Sequence, residues 1–523
     1  MSEDRPNVRA ASFYRYAQAL PDRVALVAVD GSTTTYAALA AAANRVSHGL
    51  RRAGLGVGDR VGVLVGNTPR FLELMLGAGQ VGVQIVPVNT HLTVAEVAYI
   101  LDNSDSRTVF ADGPLLELAA AAVAELGRPA ESIVAIDAPD PGPHRTFTDF
   151  LDRTPDTEPA ERVHAQAMLY TSGTTGRPKG VTWPISAVVD PETQAQRTDP
   201  IMALRGMRHD STAVTLVSGP LYHGAPGSWA LQGLHHGHTV LLTGKWEAED
   251  FLRRVQEHGV TTCQVAPIHF HRLLQLPAAV RQAYDVSSLQ VVSHAGAATP
   301  VDVKQRMMDW WGPVLWEYYA SSEGWGTSIT PEEWLAHPGS VGRHDGNGAT
   351  MKILDEEGTE LPAGEPGMLW IRNPNGVNTS YLHDPEKTAA NRRGDYYTAG
   401  DMGYIDSDGW LYIVDRRTDL ILSGAVNIYP AEIEDALRRH SRVSDVAVVG
   451  VPDPEWGQRV RAIVVPAEGG TAGPELAEEI RAFATRALAR FKVPREIEFR
   501  DSLPYSPTGK LLRRELRAAP ADA

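Results

Sequence analysis

The chain has 523 residues with 49 basic and 64 acidic side chains, a formal net charge of −15. That length corresponds to about three or four compact units. The negative balance excludes a general nucleic-acid binder and requires any phosphate site to be built locally. The single cysteine, Cys263, supports neither an intramolecular disulfide nor a Cys-rich zinc site. The start, Met1-Ser2-Glu3-Asp4-Arg5-Pro6, lacks the basic opening and apolar run of a signal peptide. The apolar stretch 115–126 is interrupted by Glu117 and Glu125, short of the roughly 18 to 20 residues a membrane span needs. The expectation is a cytoplasmic protein without integral membrane association.

In chain order, 36–52 carries apolar residues at helical spacing and 61–65 is a short β-branched run. Pro-, Gly- and Asp-rich interruptions at 137–144, 154–159 and 184–200 read as surface loops. The runs 239–242, 260–265 and 289–292 read as buried strands, with Cys263 packed inside the second. The segments 246–258 and 300–311 read as helices, the latter with Thr299 as N-cap and Pro300 at its first position. Strands alternating with helices of this length argue an α/β region with mostly parallel sheets. After it the pattern changes. Asp406-Ser407-Asp408-Gly409 reads as a hairpin turn between 402–404 and 411–414. A helix (430–440), two strands (443–449 and 460–465) and a long amphipathic helix (474–490) follow, making a small α+β unit. The boundary is placed between 417 and 418, giving domains 1–417 and 418–523.

The strongest local signal is Tyr170-Thr171-Ser172-Gly173-Thr174-Thr175-Gly176-Arg177-Pro178-Lys179-Gly180. Three glycines let backbone N–H groups turn inward as an anion nest, four hydroxyls add donors, and two cations add charge for a polyphosphate. Pro178 stands where a Walker A loop has glycine. The segment resembles the phosphate loop of the adenylate-forming acyl-CoA synthetases, relatives of the luciferases and carrier-protein adenylation domains. Further segments similar to that family follow in order from about 36 to 513.

The resemblance implies a role for each. In Gly219-Pro220-Leu221-Tyr222-His223, His223 lies beside the reacting carboxylate. In Glu317-Tyr318-Tyr319-Ala320-Ser321-Ser322-Glu323, Tyr319 stacks on adenine, Ser322 touches the α-phosphate and Glu323 holds Mg²⁺ together with Thr174. Gly296 and Ala297 border the nucleotide. Asp401, in Tyr397-Thr398-Ala399-Gly400-Asp401, accepts the ribose hydroxyls, a task suited to an acceptor-only carboxylate. In Asp415-Arg416-Arg417-Thr418-Asp419, Arg416 is the ribose partner and Thr418 the hinge. Ser423, Gly424 and Ala425 guide the pantetheine arm of CoA. In Leu503-Pro504-Tyr505-Ser506-Pro507-Thr508-Gly509-Lys510, Lys510 sits between the substrate carboxylate and the α-phosphate, where a compact ammonium offsets anion repulsion. The chain departs from the usual pattern at Ala320 and Ala425, where glycine is common, at Ala399, usually threonine, and at Thr418, usually Asp or Lys.

The implied reaction activates a carboxylic acid with ATP to an acyl-adenylate, releasing pyrophosphate, and then transfers the acyl group to CoA. The small domain alternates between the two steps. The acyl pocket is placed at Tyr222, Gly224, Trp229, Ala295 and Gly296. Its small residues read as a roomy site and no cation stands out in it, so a medium-to-long or bulky cyclic hydrophobic acid is expected. The expected partners are that acid or its adenylate, CoA and, as an option, a second copy of the chain. Four alternatives stay open: a carrier-protein-loading adenylation enzyme, a thioester-forming half-reaction alone, a luciferase-type oxygenase and a nucleotide-binding regulatory protein.

Overall fold

The computed structural model describes residues 12–171, 178–185, 189–297, 299–343, 350–372, 379–416, 419–423, 426–453, 457–467, 469–506 and 509–517, with the backbone alone at 325, 416, 426 and 427. Residues 60–146 build a five-stranded, wholly parallel sheet in the order Gln84–Pro87, Arg60–Leu64, Thr108–Asp112, Ile133–Ile136, Arg145–Thr146. Its central strands are buried along most of their length, as a parallel sheet covered on both faces requires. Helices Pro69–Gly79, Val94–Asn103 and Leu116–Glu125 pack on it. The helix expected at 36–52 forms with those bounds, and the Thr35 side chain accepts from Ala38 N–H as its cap.

A second, larger sheet starts parallel. Val24–Val27, Thr239–Leu242, Val214–Val217, Thr262–Val265, Val291–His294 and Leu315–Ser321 lie side by side. Cys263 is fully buried there, and burial pushes its thiol up, so it is packing material. Past Ser321 the sheet turns antiparallel through Gly324–Ile329, Gly342–Arg343, Trp410–Arg416 and Asp401–Ile405. The expectation of mostly parallel sheets therefore holds for the five-stranded sheet and for the run from Val24–Val27 to Leu315–Ser321, while neighbouring strands from 324 to 416 pair antiparallel. The 406–409 hairpin is present between Asp401–Ile405 and Trp410–Arg416.

Two further expectations need correction. The stretch 184–200 is only partly loop, because Pro191–Ala203 is a helix. Pro191 stands in its first turn, where no N–H is needed, and Asp190 accepts from the N–H groups of Glu192 and Thr193. The helix expected at 300–311 begins at Val301 with Pro300 as its cap, while the Thr299 hydroxyl lies 3.2 Å from His294 Nδ1.

The C-terminal segment forms its own sheet from Val426–Ile428, Ile421–Ser423, Gly457–Pro466 and Val443–Asp453, with Glu496–Phe499 added in parallel. Helices Pro430–Arg438 and Pro474–Ala487 enclose a core of Ile421, Ile433, Leu437, Val446, Val464 and Ile480. No described helix is long and apolar enough to cross a membrane.

Candidate active site

Of the two cations of the phosphate segment, Arg177 is outside the described residues and Lys179 lies in a small sheet. Leu169–Thr171 and Lys179–Thr182 form its hairpin, and Ser380–Tyr381 adds a third strand. Ser172, Gly173, Thr174, Thr175 and Gly176 lie outside the described residues. Thr171 and Lys179 border the cavity below. The Lys179 ammonium stands 5.6 Å over the Tyr381 ring, and burial with nearby Lys387 holds it below the usual lysine range. Gly180 is needed for close approach, since a Cβ there would lie 3.0 Å from the Tyr170 ring.

The same third strand positions Glu323. Tyr381 Oη donates to Glu323 Oε1 at 2.7 Å, Asn391 Nδ2 donates to that phenol at 3.0 Å, and Thr379 Oγ1 donates to the Glu323 carbonyl at 2.9 Å. Burial and the Glu323 charge push the Tyr381 phenol up, so it remains a donor. Glu323 and Ser322 occupy the turn between Leu315–Ser321 and Gly324–Ile329. Tyr319 Oη donates to Asp401 Oδ2 at 2.6 Å, joining the two residues expected to face adenine and ribose. Thr398 Oγ1 accepts from Gly400 N–H, and Gly400 takes φ +85°, which turns the chain into Asp401.

His223 precedes the helix Gly224–His235. Asn67 fixes this corner: its Nδ2 donates to the carbonyls of Gly219 and Thr243, and its Oδ1 accepts from Leu221 N–H. Burial lowers the His223 pKa to about 4, and its Nε2 is buried without a hydrogen-bond partner. A neutral ring nitrogen therefore waits at the cavity wall. The glycines here do not make the pocket roomy. A Cβ on Gly224 would lie 2.7 Å from Leu169 Cδ1, and one on Gly227 2.5 Å from the Leu221 carbonyl oxygen, so both serve close packing. Gly296 is different, with φ +92° and nothing within 4 Å of a built Cβ.

Beneath Gly296 lies a buried charge cluster. Lys304 Nζ donates to Glu317 Oε2 at 2.7 Å, and His294 Nε2 is 3.6 Å from the same oxygen. Burial raises the Glu317 pKa and lowers those of Lys304 and His294. This cluster anchors the strand end that carries Ala295, Gly296 and Ala297.

Lys510 reaches the site from the C-terminal unit. Its turn is closed by Ser506 N–H to the Lys510 carbonyl at 2.8 Å and Lys510 N–H to Ser506 Oγ at 3.0 Å. The turn docks on the large unit: a Cβ on Gly509 would fall 2.0 Å from Ile268 Cγ2 and 3.4 Å from Ala266 Cβ. Gly509 also takes φ +74°, so both backbone and space select glycine.

One cavity of about 1930 Å³ brings these groups together; Thr171, Lys179, Tyr222, His223, Gly224, Trp229, Ala295, Gly296, Ser322, Glu323 and Lys510 all border it. Tyr319 and Asp401 stand just behind it, with their neighbours Ala320, Gly400 and Met402 on its wall. Ala297 is exposed and Ser423 lies at the end of the strand Ile421–Ser423, neither bordering the cavity. The Arg416 side chain, Thr418, Gly424 and Ala425 fall outside what is described. Sequence reasoning missed Tyr381 and Asn391, which no motif marks and which strand pairing brings to Glu323. It also missed Arg205, a cation on the cavity wall, 8% exposed, with its guanidinium 3.9 Å from the Tyr318 ring centroid.

The donor set fits a magnesium nucleotide. A carboxylate steadied by a phenol is the hard oxygen ligand Mg²⁺ takes, and an unpartnered imidazole nitrogen bordering the same cavity suits a polar substrate group.

The family described as AMP-binding enzyme matches residues 13–382, and its C-terminal domain matches residues 432–510. A fatty acid–[acyl-carrier-protein] ligase of Streptomyces coeruleorubidus is 33% identical, over 98% of this chain and 95% of its own. A feruloyl-CoA synthase of Amycolatopsis is 32% identical over 93% and 94%. Among solved structures, ATP-bound MatB of Rhodopseudomonas palustris superposes with a TM-score of 0.82 at 27% identity, covering 97% and 98% of the two chains. An anthranilate CoA ligase with anthranoyl-AMP gives 0.84 at 26% identity, over 97% and 96%.

Proposed function

This chain belongs to the AMP-binding enzyme family, and on that premise we propose that it joins a hydrophobic carboxylic acid to the thiol of CoA through an acyl-adenylate. It is an AMP-forming acid–thiol ligase that uses ATP. The finer assignments rest on one observation above all: Lys510 shares a single cavity with His223, Ser322 and Glu323, although it comes from the other unit.

A carboxylate is a poor electrophile, because attack on it would expel oxide. In the first step its oxygen attacks the α-phosphorus of ATP, and the bond to the β-phosphate breaks as pyrophosphate leaves. Lys510 sets a positive charge between the two approaching anions. His223, neutral, borders the acid, and Lys179 with residues 171–176 is assigned to the departing phosphates. Asp401 and Tyr319 hold the ribose and adenine end, assisted by Gly296, Ala297 and Arg416. Glu323 and Thr174 would hold Mg²⁺, which would neutralise phosphate charge. In the second step the thiolate attacks the acyl carbon and the bond to AMP breaks. Ser423, Gly424 and Ala425 guide the thiol arm once the unit beginning near Thr418 has turned. The domain division at 417/418 is supported by the separate core that starts at Ile421.

Met75, Ile85, Tyr222 and Trp229 on the cavity wall favour a bulky or aromatic acid. A second reading, transfer to a carrier protein, is favoured by the similarity to the acyl-carrier-protein ligase. The test is mass spectrometry of products after incubation with ATP, Mg²⁺, a mixed acid library and either CoA or a phosphopantetheinylated carrier protein. Acyl-CoA formed by a bulky hydrophobic acid supports the first reading. Acylation of the carrier protein alone replaces it with the second.

A further inference from the structure

We propose that Asp199, His209 and His236 form a zinc site, separate from the magnesium-nucleotide residues, that fastens the outer wall of the acid pocket. Asp199 lies in the last turn of the helix Pro191–Ala203, His209 in the connection after it, and His236 at the end of the helix Gly224–His235. His209 Nε2 is 2.8 Å and His236 Nε2 3.0 Å from the same oxygen, Asp199 Oδ1. The two imidazoles stack with centroids 4.3 Å apart. Among the described residues this is the one group of three such side chains whose ligand atoms converge within 4.8 Å.

The proton count makes the convergence chemically specific. His236 Nδ1 lies 2.7 Å from the Gln232 carbonyl, which can only accept, so Nδ1 carries the proton. In the neutral ring Nε2 then presents a lone pair. That atom is buried without a hydrogen-bond partner and faces a carboxylate oxygen, lone pair against lone pair. A cation between them turns the opposition into coordination, and the Gln232 carbonyl becomes the outer partner that fixes the ring. His209 differs: its Nε2 donates to Asp199 Oδ1 at 2.8 Å and its Nδ1 lies 3.4 Å from Tyr16 Oη, so zinc would take the place of that Nε2 proton. The other histidines of this run are otherwise engaged: His235 Nδ1 accepts from Phe13 N–H, and His238 bonds Thr215 and the Arg208 carbonyl.

Two imidazoles and one carboxylate favour Zn²⁺ over Mg²⁺ or Ca²⁺, which take oxygen ligands. Tetrahedral bonds of about 2.0–2.1 Å set ligand atoms about 3.3 Å apart, so the two imidazole–carboxylate separations of 2.8 and 3.0 Å need open by only a few tenths of an ångström. The His236 side chain is 2% exposed, His209 25% and Asp199 43%, leaving one side open for entry and a bound water. The helix ending at His236 begins after His223 and carries Trp229 and Gln232 on the cavity wall; Thr198 and Arg205 border the same cavity. Zinc here would tie both of these wall segments together.

The experiment titrates Zn²⁺ into full-length, chelator-treated protein by calorimetry with excess Mg²⁺ present, and follows the unfolding temperature. The expected result is one Zn²⁺ per chain and a raised unfolding temperature. Asp199→Asn, at a half-exposed position, should weaken binding at least about tenfold and abolish the thermal shift while its circular dichroism stays native. Co²⁺ should report tetrahedral absorption that disappears in the same variant. Failure of the unmodified protein to bind stoichiometrically, or equal Zn²⁺ affinity in Asp199→Asn and His209→Ala, would overturn the site and leave the trio as an ion pair.

Discussion

The wall of the cleft that carries His223 and Glu323 and the wall that carries Lys510 differ in what holds them. His223 sits in a corner tied by three Asn67 bonds, and Glu323 is set by Tyr381, Thr379 and Asn391 from distant parts of the chain. The Lys510 turn is equally well tied, but inside its own unit: Arg513 pairs with Glu434 at 2.7 Å, and Tyr505 Oη donates to Asp445 at 2.8 Å. Across the cleft, contacts among the described residues include Gly509 against Ala266 and Ile268, a bond from Gln275 to Ser444 and one from Ala431 N–H to Asp415. A unit with its own core and a small dock can leave as a body, which is what two half-reactions at one cavity require.

Removing the Lys510 charge should separate the walls most. Lys510→Ala should lower acid-dependent pyrophosphate exchange by about 10²- to 10³-fold, while thioester formation from supplied adenylate changes far less. Equal losses would mean that Lys510 serves both steps. On the fixed wall, Glu317→Gln leaves Lys304 buried without its counter-charge. Breaking such a pair costs about 3 to 5 kcal/mol, read in denaturant unfolding; restoration by a Lys304→Met, Glu317→Leu pair would sharpen the assignment. Glu323→Gln should raise the Mg²⁺ concentration needed for half-maximal exchange at least about tenfold, with acid binding unchanged in calorimetry.

A smaller effect comes from pH. Burial lowers His164 and His223 to about 4 and His269 to about 3. Between those values and the unfolded value of about 6.5, the unfolded chain binds more protons than the folded one. Stability should therefore fall as pH drops from 6.5 towards 4 and stay flat for these groups above it. His269 Nδ1 accepts from Ala266 N–H at 3.2 Å, so its protonation also loosens the dock of Gly509. Urea titrations at pH 7, 6 and 5 check the slope; a rise in stability on acidification would contradict it.

The sequence was most legible where one segment contains its own reasons. The helix 36–52 carries its cap and its apolar spacing, and the phosphate segment its glycines, hydroxyls and cations. The misreadings came from contacts that local pattern cannot encode. Prolines 191 and 200 suggested loop, yet one starts a helix and the other is tolerated in its exposed last turn. Gly224 suggested space, yet Leu169 fills it. Tyr381 reaches Glu323 only because Ser380–Tyr381 pairs with a strand about 200 residues earlier. Arg205 gained its place on the cavity wall from the tertiary fold alone.

The central claim is that the dock of Gly509 on Ala266 and Ile268 is the adenylating arrangement of the cleft. The measurement is the ratio of the two half-reaction rates in Gly509→Ala, which keeps Lys510 but sets a Cβ 2.0 Å from Ile268 Cγ2. The account predicts that pyrophosphate exchange falls at least about tenfold, the effect of a strain of about 1.4 kcal/mol or more, while adenylate is converted to thioester at the unmodified rate. Equal rates in both halves, or loss of thioester formation alone, would contradict it.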